Sequence, residues 1–239
     1  MKKMLEKMLN KKLFVLKSEI VKEFLEEKGE DISKLNGIEI FGGLGLNDRI
    51  FAESLKNFEI WEIENKLESD LIKNLPNADV KICDSIRILK NERQFVQKYD
   101  LILIDNPIGV FGDTLEYCEH FDVIKNIHKL IDKKAIIIFL VNKRPFFFKK
   151  FVKKNELWRK RRREFYGDLN IKDMSTKFLL NFYTELFNNM GFKIDFSKNI
   201  PRHYPHLDYL VYKISRKSND EQILKNTDWI SLSELMKKN

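Results

Sequence analysis

Short apolar runs alternate along the chain with longer stretches in which apolar residues recur every three or four positions. The runs are typical of buried strands, and the stretches are typical of helices with one apolar face. The predicted strands are 37–41, 58–63, 79–83, 100–104 and 135–141, and the predicted helices between them are 48–56, 66–75, 86–97 and 115–131. Because parallel strands need a crossover connection, this alternation predicts an α/β fold with a doubly wound, mostly parallel sheet.

The last part of the chain departs from this alternation. A helix is predicted at 175–190, where Gly191 ends it, and strands are predicted at 192–196 and 209–214. Only a loop joins these two strands, so they should pair as an antiparallel hairpin. The full prediction is a seven-stranded sheet with an antiparallel C-terminal hairpin strand.

The 239 residues are enough for one sizeable core, and no glycine- or proline-rich linker divides them. We expect one domain with additions. An N-terminal helical cap is predicted at 1–34, because apolar residues recur at helical spacing from 5 to 28. The α/β domain follows at 35–215 with a basic, aromatic insertion at 143–172, and a polar tail occupies 216–239.

The positive charge is concentrated in one segment. Residues 143–163 hold 11 Lys and Arg and one acid, a local charge of +10 in a chain whose net charge is +8. The other residues therefore sum to −2, so this segment would attract an anionic partner. Its aromatic residues are Phe146, Phe147, Phe148, Phe151 and Trp158. Cations and aromatics together are typical of single-strand nucleic-acid binding, although the same spacing could pack a helix onto the sheet.

Other features limit the compartment and the chemistry. No apolar run approaches the roughly 20 residues of a membrane span, and 1–12 lacks the apolar core of a signal peptide. Two cysteines, Cys83 and Cys118, do not make a disulfide framework. We expect a cytoplasmic protein, and the spacing of acids, histidines and cysteines predicts no metal site.

Polar residues follow each of the first four predicted strands. A glycine-rich stretch, Gly42-Gly43-Leu44-Gly45, follows the first strand and Glu62 lies at the end of the second. Asp84-Ser85 ends the third strand, and Asp105-Asn106-Pro107 ends the fourth. Glycines let backbone N–H groups approach a ligand, and a carboxylate can accept hydrogen bonds from a ribose diol or an amine. Each acid alone is more often a strand end or a helix cap, but the four loops should meet at one edge of the sheet.

This constellation resembles that of the class I S-adenosylmethionine-dependent methyltransferases, which have a Rossmann-like fold. Their motif of an acid, two hydrophobic residues and G-x-G-x-G is matched loosely from Glu39 to Gly45, with Phe41 at the place of the first glycine. The resemblance implies S-adenosylmethionine as cofactor. It also implies the following cofactor-binding residues: Glu39, Gly42, Gly43, Gly45, Glu62, Asp84, Ser85 and Asp105.

The acceptor is less constrained. Asn106-Pro107 is similar to part of the (D/N)-P-P-(Y/F) motif of amino-methyltransferases, and 105–109 also resembles a signature of polyamine aminopropyltransferases. The alternative is a turn that only seats the methionine end of the cofactor. We predict Asp105, Asn106 and His203 as catalytic residues, since a histidine titrates near neutral pH. The predicted substrate-binding residues are Pro107, Arg159, Arg161, Arg162, Arg163 and Tyr204.

The resulting prediction is a methyltransferase that acts on an anionic acceptor, with RNA or DNA favoured over a phosphorylated small molecule or glycan. One alternative is a transferase for small molecules, sugars, sugar phosphates or polyamines. The other is a non-catalytic module that keeps the fold and binds nucleic acid through its basic segment.

Overall fold

The computed structural model describes residues 18–43, 45, 49–91, 97–105, 109–144, 152–167, 173–202 and 204–217. Within them a seven-stranded sheet has the spatial order β3-β2-β1-β4-β7-β9-β8. Its strands are β1 (Asn36–Ile40), β2 (Asn57–Glu62), β3 (Asp79–Ile82), β4 (Leu101–Ile104), β7 (Lys134–Asn142), β8 (Phe192–Pro201) and β9 (Leu207–Arg216). A separate two-stranded hairpin consists of β5 (Val110–Phe111) and β6 (Tyr117–Cys118).

Strand directions follow the predicted pattern. β1, β2, β3, β4 and β7 pair in parallel, whereas β9 runs antiparallel to both of its neighbours, β7 and β8. The parallel strands therefore end at one edge of the sheet, called the carboxyl edge below. β9 begins at this edge, because Leu207 pairs with Asn142, the last residue of β7. The predicted fold class is confirmed.

Helices cover both faces of the sheet. They are α1 (18–27), α2 (Arg49–Ser54), α3 (Glu68–Asn74), α4 (Ser85–Lys90), α5 (Phe121–Lys125), α6 (Val152–Tyr166) and α7 (Thr176–Asn189). Side chains alternate along a strand, so Ile102 and Ile104 join a core with α4, α5, α6 and α7. Leu101 and Leu103 join the opposite core, with α1, α2 and α3. None of the helices in the described ranges has the length and apolar character that crossing a membrane requires.

The predicted helix at 115–131 is wrong. The structure instead forms the β5–β6 hairpin, then α5 and a 3-10 helix at Ile127–Leu130. Leu115 and Glu119 have φ angles of 58° and 44°, in the left-handed region that interrupts a right-handed helix. Gly112, with φ of 90°, supplies the turn between the two short strands. The apolar positions of this segment are buried, but they are spread over three short elements.

Smaller differences concern where elements end. α4 ends at Lys90, and Asn91 and 97–99 are not helical, so the predicted helix to 97 is too long. β8 and β9 are each 10 residues long and therefore extend beyond the predicted strands. Gly191 follows α7 with φ of 82°, and the Ser175 side chain caps its first turn, which confirms the predicted start and end.

Candidate functional site at the carboxyl edge

After β1 the chain turns sharply at the carboxyl edge, and the described residues of this turn, 41–43 and 45, are called the glycine loop below. Phe41, Gly43 and Gly45 have φ angles of 71°, 56° and 65°, and Gly45 N–H donates to the Gly42 carbonyl at 2.8 Å. A Cβ at Gly42 would lie 2.5 Å from Ile60 Cγ2, so the loop packs directly on β2. Among the described residues, a Cβ at Gly43 would meet nothing nearer than the Phe41 carbonyl oxygen at 4.0 Å, so these residues leave room for a ligand beside the backbone.

Glu62 connects the second strand to this loop. Its Oε2 accepts from the Gly43 backbone N–H at 2.8 Å, and its Oε1 accepts from the Glu64 N–H at 2.9 Å. The side chain is buried at the end of β2. An ionised carboxylate has about four acceptor sites, so each oxygen can accept one further hydrogen bond. This set fits a ribose diol, which would bring two hydroxyl donors to one carboxylate.

Glu39 connects the first strand to the fourth. Its buried carboxylate accepts from the Asp105 backbone N–H at 3.3 Å through Oε1. β1 and β4 are neighbours, with Ile40 opposite Ile104, so Asp105 follows the strand next to the glycine loop. The contact places Asp105, which follows β4, beside β1 at the carboxyl edge.

Asp84 has two partners within the protein. Its Oδ1 caps α4 by accepting from the Arg87 N–H at 2.9 Å, and its Oδ2 accepts from the Tyr117 hydroxyl at 2.8 Å. Burial, together with this hydrogen bond to Asp84, raises the pKa of Tyr117 to about 12, so the phenol stays protonated as the donor. Ser85 is the buried first residue of α4. Asp84 thus serves as a helix cap, and an additional role in binding adenine stays a prediction.

An aromatic wall borders this part of the site. The rings of Phe41 and Phe111 pack edge to face at 5.3 Å, and Phe111 and Tyr117 are 5.5 Å apart. Phe111 and Tyr117 belong to the β5–β6 hairpin, which replaces the start of the predicted helix. The sequence did not predict this wall, because Phe111 precedes the predicted helix at 115–131 and Tyr117 was predicted as part of that helix.

Arg202 is a site residue that the sequence did not reveal. It follows β8, and its Nη1 lies 3.1 Å from Asp105 Oδ1. Only 5% of its side chain is exposed, and its Cζ lies 4.8 Å from the centre of the Tyr209 ring. Its position beside the predicted catalytic residue His203, in the loop of the C-terminal hairpin, was the one available signal.

Several predicted residues lie outside the described part of the chain. Asn106, Pro107 and His203 are among them, so their predicted roles stay predictions. The same holds for the four phenylalanines of the basic segment, Phe146, Phe147, Phe148 and Phe151. Tyr204 is described and exposed, with its ring 5.8 Å from that of His206.

One predicted substrate residue, Arg162, is buried in the protein. Its side chain is 0% exposed, and Nη1 lies 2.6 Å from Glu119 Oε1. Nη2 donates to the Asn142 carbonyl at 3.0 Å. A guanidinium enclosed in this way cannot reach a phosphate of a bound substrate, so the prediction for Arg162 is wrong.

Trp158 is buried beside it. Its Nε1 donates to the same Glu119 oxygen at 2.6 Å. The ring therefore anchors α6 to the segment after β6 and cannot stack on a base of a nucleic acid. For Trp158, the alternative that the segment packs as a helix on the domain is confirmed.

The other predicted arginines of α6 are less buried. Arg163 is exposed, and Arg159 and Arg161 are partly exposed. Glu164 lies 3.9 Å from Lys160 and 3.6 Å from Arg161, so it offsets part of this charge. Arg159, Lys160, Arg161 and Arg163 together are called the outer face of α6 below.

Cations near the ends of β7 and β8 have acidic partners. Lys143 Nζ lies 2.9 Å from Asp208, which also accepts from the Thr176 hydroxyl at 2.8 Å. Arg144 lies 2.9 Å from Asp173. With the Arg202–Asp105 pair, these contacts balance the charge in this part of the carboxyl edge.

No family model matches the chain, and no curated protein matches it. Solved structures do match. A candidate RNA methyltransferase from Pyrococcus horikoshii has a TM-score of 0.51 and 14% identity, over 83% of each chain. Magnesium protoporphyrin IX methyltransferase from Synechocystis, solved with S-adenosylhomocysteine, has a TM-score of 0.51 and 11% identity, over 83% of this chain and 81% of its own.

The chain has the fold of class I S-adenosylmethionine-dependent methyltransferases. This agrees with the strand order and with the antiparallel β9, and it confirms the fold that the sequence resemblance implies. The two matched proteins differ in the acceptors that their names state, so the methyltransferase fold alone does not select an acceptor.

Proposed function

We propose that the protein is an S-adenosylmethionine-dependent methyltransferase. The observation that carries the proposal is the Glu62 carboxylate, bonded to Gly43 of the glycine loop at the carboxyl edge. In open α/β sheets, ligands bind outside the carboxyl ends of the strands, where an acid after the second strand can bind a ribose. Glu39 and Asp105, joined by a hydrogen bond on the other side of the loop, supply the second half of the proposed cofactor site.

When bound, the cofactor supplies a methyl group on a sulfonium, which passes to a nucleophile as the carbon–sulfur electron pair goes to sulfur. The protein's task in such a displacement is mainly alignment of the two reactants. Glu62 would hold the ribose, and the Glu39–Asp105 contact would fix the start of the loop after β4. Asp105 and Asn106 are proposed to border the methyl group, and where the acceptor carries a proton, His203 is the proposed group to accept it.

We predict that Glu62→Ala weakens binding of S-adenosylhomocysteine by about 1–3 kcal/mol, because hydrogen bonds to a charged carboxylate are lost. Glu64→Ala is the matched control, since Glu64 is two residues away and pairs with Lys66 at an exposed position. Calorimetry on both variants measures the difference. Equal affinities for the two variants, or binding of NAD but of neither S-adenosyl compound, would contradict the proposal.

For the acceptor, we propose an anionic molecule, with nucleic acid favoured. The outer face of α6 supports this, because four cationic side chains that are exposed or partly exposed lie on one helix, which Arg162 anchors from its inner face. The three ion pairs near the ends of β7 and β8 instead offset positive charge there. They therefore favour a small acceptor whose reacting end is not strongly anionic. A small-molecule methyltransferase is therefore the second candidate.

Incubation with methyl-labelled cofactor and fractionated cell extract distinguishes these candidates. We expect label in a fraction that nuclease treatment renders small and soluble. Label in a small-molecule fraction, insensitive to nuclease, would support the second candidate. Bound cofactor with no labelled fraction at all would indicate a binding module without catalysis.

A further inference from the structure

The carboxyl edge contains a partly buried ion pair that the sequence did not reveal. The Arg202 guanidinium, 5% exposed and stacked on Tyr209, lies 3.1 Å from Asp105. Asp105 and Arg202 are 97 positions apart; Asp105 follows β4, and Arg202 belongs to the β8–β9 turn. Because β9 is antiparallel and β8 ends beside its start, this turn lies at the same edge as the glycine loop. The pair thus joins the C-terminal hairpin to the proposed cofactor site.

Asp105 is held from two sides. Its backbone N–H donates to Glu39 and its side chain pairs with Arg202. These two contacts hold both the backbone and the carboxylate of Asp105 in position. A guanidinium stays protonated at every pH in which a protein is folded, so Arg202 places a permanent positive charge beside this carboxylate. In a partly buried site such charges act over several ångströms with little screening.

The charge of the proposed ligand changes during the reaction. S-adenosylmethionine carries a positive charge on sulfur, and S-adenosylhomocysteine, a thioether, does not. The positive charge leaves sulfur with the methyl group, and it is lost from the acceptor when a proton departs to base or solvent. A negative group near sulfur therefore favours the substrate form, and a positive group near sulfur favours the product form.

We propose that Arg202 is a positioning residue whose charge, balanced against Asp105, sets the preference of the site between S-adenosylmethionine and S-adenosylhomocysteine. The inference rests on the proposed function. With Asp105 placed beside the methyl group, as proposed above, its carboxylate attracts the sulfonium. Arg202 orients that carboxylate and offsets part of its charge, so the pair limits the preference for substrate. Removal of Arg202 and removal of Asp105 should change this preference in opposite directions. The loss of a merely structural ion pair would not have opposite effects.

The test measures the dissociation constants of both compounds by calorimetry. For each variant, the dissociation constant of S-adenosylhomocysteine is divided by that of S-adenosylmethionine, and this ratio is compared with that of the unchanged protein. Arg202→Met removes a positive charge beside Asp105, so this ratio should rise about threefold or more. Asp105→Asn removes a negative charge beside Arg202, so the ratio should fall by a similar factor. The double variant should return close to the ratio of the unchanged protein, and Arg202→Lys, which keeps the charge, should move it least.

Arg144→Met is the matched control, because Arg144 also pairs with an acid near the carboxyl edge but is 66% exposed. It should leave the ratio unchanged. If both single variants weaken the two compounds equally, or shift the ratio in the same direction, the inference is wrong and the pair only supports the loop. Failure of the unchanged protein to bind either compound would instead contradict the proposed function.

Discussion

Adjacent arginines in α6 have different surroundings, although the sequence Arg161-Arg162-Arg163 presents them as equivalent. Arg162 lies on the inner face, enclosed by Glu119, Trp158 and the end of β7, whereas Arg163 is exposed. A helix turns by about 100° per residue, so neighbouring positions need not share a face. The local pattern indicates a basic helix, but which arginine faces inward depends on Glu119, 43 residues earlier in the chain.

We expect Arg162→Gln to lower the free energy of unfolding by about 3–5 kcal/mol, because it leaves the Glu119 carboxylate buried without its charged partner. Arg163→Gln is the matched control and should change stability by about 0.5 kcal/mol or less. Urea unfolding followed by circular dichroism measures both. The double variant Glu119→Leu with Arg162→Met should recover part of the loss, since it removes both buried charges together. Equal stabilities for the two single variants would show that the buried pair contributes nothing.

At the scale of elements, the strands were predictable and the segment after β4 was not. The cores of β4 and β7 are apolar runs of strand length, as burial on both faces favours. β1 and β2 are mostly apolar but include the buried Glu39 and Glu59. Residues 115–131 also carry apolar residues at helical spacing, yet Leu115 and Glu119 adopt left-handed backbone conformations. Contacts distant in sequence stabilise Glu119 there, because Arg162 and Trp158 both donate to its carboxylate. Local periodicity does not contain that information.

At the scale of the molecule, strand order determines which loops meet. The alternation of elements predicted a parallel sheet, and parallel strands bring the loops after β1, β2, β3 and β4 to one edge. The contacts of Glu62 with Gly43 and of Glu39 with Asp105 follow from that arrangement. The pairing of Asp105 with Arg202 depends on the position of the C-terminal hairpin beside β7, and no local pattern in either segment identifies the partner.

The outer face of α6 leads to a prediction about the whole molecule, because it belongs to the segment 143–163, in which the positive charge is concentrated. If this face binds a nucleic acid, Arg163→Gln should weaken binding of a short single-stranded RNA about equally for all sequences. It should also reduce the slope of log affinity against log salt by about 0.7, because one fewer counterion is released.

Glu164→Gln should strengthen binding of the same RNA, since Glu164 offsets the charges of Lys160 and Arg161. Lys22→Gln is the control for net charge, because Lys22 lies on α1, which packs on the opposite face of the sheet. Fluorescence anisotropy at several salt concentrations measures all three variants. If Arg163→Gln and Lys22→Gln act equally, only the overall charge matters, and the acceptor is not a polymer held on α6.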